Sequence, residues 1–155
     1  MKQRLLLSFV SCLLVVASSG CGVFNPSIRY VLPDGYTGVF QIILDKAHGK
    51  GIEREGWRYT YEIPPNGILR VKSFEPLYGW HQVAAAYKNG SRILIPDSTV
   101  SDDTIALRDV GMHEKDDGSL VVTILIGTQQ QADKVRRDKL EPWFDEISPA
   151  EYSFD

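Results

Sequence analysis

Gly56 to Ser73 reads GWRYTYEIPPNGILRVKS, and the interpretation of this stretch decides the fold. Trp57, Tyr59, Tyr61 and Ile63 fall on one side of an extended chain, with Arg58, Thr60 and Glu62 on the other. That is the period-two signature of a half-buried strand. Pro64-Pro65-Asn66-Gly67 follows as a turn, because proline presets φ and Asn-Gly accepts turn geometry. Leu69 and Val71 then resume the alternation, with Arg70 and Lys72 opposite. The stretch predicts a β-hairpin. It describes how the chain is built, and it names no reaction.

Working outward, Ile28 to Leu32 suits a first, edge strand, and Pro33-Asp34-Gly35 a turn. Tyr36 to Leu44 is apolar on both faces from Val39 onward, as expected of a strand covered on both sides. Asp45 to Gly51 reads as a flexible loop. Beyond the central stretch, Pro76 and Gly79 make Phe74 to Trp80 irregular. His81 to Tyr87 alternates again, and Asn89-Gly90 predicts a tight hairpin to Ile93-Leu94-Ile95. Thr104 to Val110 reads as a strand, Asp116-Asp117-Gly118 as an acidic turn, and Leu120 to Ile126 as a central strand. Thr128 and Gln131 have the spacing of a capping box, which predicts a helix over residues 129–140, with Pro142 ending it. The apolar face of that helix is thin (Ala132, Val135, Leu140), with Trp143 and Phe144 beyond, so it belongs on a surface. The expectation is a mainly β protein: an antiparallel β-sandwich, immunoglobulin-like or transthyretin-like, of seven or eight strands with one C-terminal helix.

The first residues carry a different message. Lys2 and Arg4 precede an apolar run from Leu5 to Ala17, then Ser18-Ser19-Gly20 and Cys21. A basic start, an apolar core and small residues form a secretory signal, and the run falls short of the roughly 20 residues a bilayer span needs. The segment resembles the signal of bacterial lipoproteins, which implies cleavage before Cys21 and acylation of its thiol. The alternative is an ordinary signal cut nearby, leaving a soluble protein with one free thiol. The domains are then a signal peptide over 1–20, a tether over 21–27 and a β-domain over 28–155.

Cys12 leaves with such a signal, so residues 22–155 contain no cysteine to form a disulfide, a thiolate metal site or a thiol nucleophile. Without Lys2 and Arg4, 15 basic side chains face 20 acidic ones, a net charge near −5. Nucleic acid is a poor partner for that balance.

The pieces GYTGVF (35–40), YEIPPNGILR (61–70) and ILIGT (124–128) together resemble a family of bacterial envelope lipoproteins of unknown function. The resemblance implies a fold and an address, the cell envelope, with no catalytic residues to carry over. Gly22 after the acylated cysteine implies the outer membrane if the cell has two membranes.

Candidate chemistry is sparse. His48, His81 and His113 lack the local spacing of a zinc site. Glu114 with Asp116-Asp117-Gly118, and Asp102-Asp103, lack the calcium-loop pattern. There is no G-x-S-x-G elbow and no phosphate loop. No cofactor is expected. Tyr78-Gly79-Trp80-His81 is the one aromatic segment on an irregular loop, so Tyr78, Trp80 and His81 are the candidate contacts for a partner or ligand. The opposing reading makes Trp80 a plug at the end of the sandwich, since large aromatics are mostly buried. The expected function is that of a membrane-anchored, non-enzymatic binding or structural module, with an envelope protein or glycan as partner. A small hydrolase of cell-wall or glycan substrates is the alternative.

Overall fold

In the computed structural model of the protein, residues 26–139 are described. The expected signal peptide, Cys21, most of the expected tether, and Leu140, Pro142, Trp143 and Phe144 lie outside the described residues. Nine strands and one α-helix follow in order: β1 (Ser27–Leu32), β2 (Gly38–Leu44), β3 (Glu53–Glu55), β4 (Arg58–Glu62), β5 (Ile68–Val71), β6 (Gln82–Tyr87), β7 (Arg92–Ile93), β8 (Ala106–Glu114), β9 (Leu120–Gly127) and α1 (Gln129–Lys139). They form a five-stranded sheet, β3-β4-β1-β6-β7, and a four-stranded sheet, β5-β2-β9-β8.

One core lies between the two sheets. Ile28, Tyr30, Leu32, Tyr61 and Ala85 of the first meet Phe40, Ile42, Val71, Leu107, Val122, Ile124 and Ile126 of the second. The Tyr30 ring packs edge-on against Phe40, with centroids 5.6 Å apart. The architecture is therefore the expected β-sandwich with one terminal helix. The sheets are mixed, however, and three parallel pairs (β1 with β4, β1 with β6, β2 with β5) replace the antiparallel pairing expected throughout.

The central stretch is where that difference arises. The turn forms as read: the Gly67 N–H donates to Pro64 O at 2.9 Å, and the Ile68 N–H to Asn66 Oδ1 at 3.2 Å. Gly67 sits at φ +72°, a conformation other residues rarely adopt. Yet β5 does not fold back on β4. It crosses to the other sheet and pairs with β2, Gln41 opposite Ile68. Both flanks of β4 are already occupied, by β3 and β1. Ile63 and Leu69, on either side of the turn, enter the same inter-sheet core. The predicted hairpin is thus an arch. Alternation reports which face is buried, and a hairpin and an arch bury the same face.

Two further expectations are corrected. β1 is central, flanked by β4 and β6, where an edge strand was expected. β3 was not anticipated, because all three of its residues are exposed and show no alternation. The remaining strands form where they were read, except that β8 runs on to Glu114, past the expected end at Val110, through an irregularity between Asp109 and Gly111, and β7 stops at Ile93. β2 is buried along its whole length, β9 lies between β2 and β8, and β6 turns back to β7 with Ala85 opposite Ile93.

The helix begins with the capping box the sequence spells out. Thr128 N–H donates to Gln131 Oε1 at 2.8 Å, and Gln131 N–H to Thr128 Oγ1 at 3.3 Å. Ala132 and Val135 then close a second core against Val39, Val110 and Leu125, on the outer face of the four-stranded sheet. Arg136 ties the helix down by donating to the carbonyls of Val110 (3.2 Å) and Asp109.

Candidate functional site

The site is built on the segment that leads from β5 into β6. Its first half is anchored: the Glu75 N–H donates to Ser73 Oγ at 3.1 Å, and Glu75–Leu77 forms a single 3-10 turn. Phe74, Pro76 and Leu77 are buried, and they fill the corner of the sandwich. The plug reading of Trp80 is therefore overturned. Apolar residues earlier in the segment do that work, and Trp80 is left 79% exposed, with Tyr78 63% exposed. Tyr78 rests its ring on Phe74, centroids 6.4 Å apart. An exposed aromatic supported by a buried one offers a flat face at small entropic loss on binding.

His81 closes the segment. Its Nδ1 lies 2.7 Å from Gly79 O, and since a carbonyl can only accept, Nδ1 carries the donating proton. His81 and Leu77 also line a cleft of about 180 Å³ between the sheets, with Val83, Leu107, Met112, Val122 and Ile124 as its apolar residues. Two more polar groups line it, Tyr30 and Asp109. Burial, with Tyr61 and Asp109 nearby, pushes the Tyr30 hydroxyl well above the usual tyrosine range, so it stays a neutral phenol. Of the three predicted contact residues, His81 enters the cleft lining, while Tyr78 and Trp80 lie in the chain between its two lining residues Leu77 and His81. The cleft itself was not legible. Tyr30 comes from β1, Leu107 and Met112 from β8 and Val122 from β9, and no local pattern links the three strands.

The remaining candidates are scattered. His48 lies in the loop after β2, His81 before β6 and His113 on β8, and only His81 lines the cleft. Asp117 is occupied as a turn residue: its Oδ1 accepts from the Ser119 N–H at 2.8 Å and the Ser119 hydroxyl at 2.5 Å. Those bonds, the hydroxyl first, hold its carboxyl below the usual aspartate range. Among the described residues no three His, Cys, Asp or Glu side chains gather as metal ligands would. Nor is any described helix long and apolar enough to cross a membrane.

Sequence reasoning also missed Arg108, which is buried on β8. Its guanidinium donates to Gln129 Oε1 (3.0 Å) and to the carbonyls of Thr104 (3.1 Å), Ser101 (3.3 Å) and Gly127 (3.4 Å). It fastens the loop before β8 to the start of α1, a structural task with no local signature. A broad recess of about 710 Å³ lies across β1, β6 and β7, where Arg29, Arg58 and Arg92 surround Ala84 and Ala86.

No protein-family model matches the chain, and no curated protein is significantly similar to it. Among solved structures the chain is similar to one described as a "Putative Lipoprotein from Bacillus anthracis". The two are 12% identical with a TM-score of 0.47, over 82% of this chain and 87% of the other.

Proposed function

We propose that this chain is a lipid-anchored protein of the cell envelope whose folded part is a non-enzymatic binding module, with Tyr78, Trp80 and His81 on its contact surface. The observation that carries the reading is the exposure of Tyr78 and Trp80 on a segment held in place by buried Phe74, Pro76 and Leu77, beside a mostly apolar cleft. Exposed aromatics on a fixed support are characteristic of interaction surfaces. The cysteine that ends the export signal supplies the anchor, since acyl chains contribute ~0.8 kcal/mol per buried CH₂. A hydrolase reading would draw on His81, Tyr30 and Asp109 in the cleft. It lacks an activated nucleophile or a carboxylate pair there, so binding accounts for the site with fewer assumptions.

The test has two arms on one preparation. Protein isolated from membranes should begin at an acylated Cys21 by mass spectrometry and enter the detergent phase on partition, whereas Cys21→Ala should stay in the aqueous phase. Trp80→Ala should leave the melting temperature within about 3 °C, because surface substitutions stay near ±0.5 kcal/mol. A native protein that begins elsewhere and stays aqueous removes the anchor. A large drop in melting temperature for Trp80→Ala makes Trp80 structural.

A further inference from the structure

The parallel pairing of β1 has a geometric result that the antiparallel expectation would have hidden. β4 and β6 both start level with β1, since Ser27 lies opposite Arg58 on one side and Gln82 on the other. The Ser27 N–H donates to Trp57 O at 2.9 Å, and the Gln82 N–H donates to Pro26 O at 3.0 Å. Pro26, Trp57 and His81, the residues just before the three strands, therefore share one end of the five-stranded sheet. At that end Trp57 is 52% exposed, and the segment running into His81 carries exposed Tyr78 and Trp80. Among the described residues, the large aromatic side chains left exposed, Trp57, Tyr78 and Trp80, are thus collected where the tether joins the domain.

We infer that this end of the sandwich rests on the lipid bilayer, with Trp57, Tyr78 and Trp80 seated in the headgroup layer. The inference rests on the lipid-anchor reading and names what the aromatic surface touches. Six residue steps separate Cys21 from Ser27, and a fully extended chain covers only about 20 Å in that distance. An acyl group on Cys21 would therefore keep this end of the domain nearest the membrane surface. Tryptophan and tyrosine favour that depth because each has an apolar body and a polar tip. Arg54 lies over the rings of Trp57 and Tyr59, at 5.5 and 5.3 Å from their centroids, and places a guanidinium beside them for lipid phosphate. The same hairpin carries Glu53 and Glu55, which stand opposite Thr60 and Arg58 in the strand register, so two carboxylates offset the arginines and the end is not strongly basic. Aromatic insertion rather than charge holds it to the surface, and neutral lipid suffices.

The experiment uses phosphatidylcholine vesicles with brominated acyl chains and the acylated full mature chain in a Trp143→Phe background, so that Trp57 and Trp80 are the emitters. Their emission should shift to the blue on vesicle binding and be quenched by the brominated lipid. The unacylated Cys21→Ala chain should bind the same vesicles weakly, and adding Trp57→Ala and Trp80→Ala should lower that partition by about tenfold, with little effect of salt. An acylated chain whose tryptophans stay water-like and unquenched on the vesicles overturns the proposal and leaves the anchor intact. Protection of the tryptophans only when an envelope protein or glycan is added overturns it in favour of that partner. A native chain without acyl groups removes the anchor reading instead, and detergent partition reports this independently of the fluorescence.

Discussion

The outer faces of the two sheets receive opposite treatment. On the four-stranded sheet, Val39, Val110 and Leu125 point away from the main core and are buried again beneath α1. On the five-stranded sheet, the equivalent outward positions carry Arg29, Gln82, Ala84 and Arg92, and no described element covers them. The same pleat thus yields a strand buried at every position, β2, and a strand buried at every second one, β1. One sheet is sealed into the stability of the domain, and the other has a face left for water or a ligand. The recess ringed by Arg29, Arg58 and Arg92 lies on that second face.

The largest effect should come from cutting into the sealed face. Leu125→Ala removes a fully buried side chain from the core under the helix and should cost about 3 kcal/mol in urea unfolding. Gln82→Ala, at an outward position of the bare sheet, should stay within about 0.5 kcal/mol. Equal costs would mean that the bare face is covered in solution. A smaller effect should follow from loosening the helix that makes the difference. Thr128→Ala breaks half of the capping box and should cost about 1 kcal/mol, with faster amide exchange in the first turn of α1.

The sealed sheet was well announced by the sequence, and the bare one was not. GVFQIIL and LVVTILIG are apolar on both faces, which leaves no position for them but a covered strand. Thr128 and Gln131 state the start of the helix in their own side-chain chemistry. In the other sheet, alternation assigned Ile28, Tyr30 and Tyr61 to the core correctly but was silent on neighbours. That silence turned an arch into a hairpin and a central strand into an edge. The site divided along similar lines. Tyr78, Trp80 and His81 could be picked out because they are close together on an irregular loop, whereas Tyr30 of one sheet meets Leu107 and Met112 of the other only through the packing of the two.

The smallest effect is on pH dependence. Asp45, which follows β2, is held below the usual carboxylate range, chiefly by the His48 N–H at 2.8 Å. Asp117, between β8 and β9, is lowered by its bonds from Ser119. A carboxylate depressed in the folded state stabilises it above the unfolded value of 3.8, and that contribution is lost as pH falls through the folded value. These two turns of the four-stranded sheet should therefore loosen only below about pH 4, and Asp117→Asn should lessen the acid dependence. Amide exchange measured across an acid titration would show it. Loosening that sets in well above about pH 5 would show that these carboxylates do not control it.

The parallel seating of β1 has a bearing on how the chain reaches its shape. Ser27 must find Arg58 and Gln82, partners 31 and 55 residues further along, before the five-stranded sheet can exist. Closing loops of that size is slow compared with zipping a hairpin such as β8–β9, so assembly should belong to the millisecond-to-second class of high contact order. During that interval the first strand of the domain is without its neighbours. A polypeptide threaded across a membrane with its amino end leading would therefore expose that strand until β6 had emerged, and the order of emergence sets when the sheet can close.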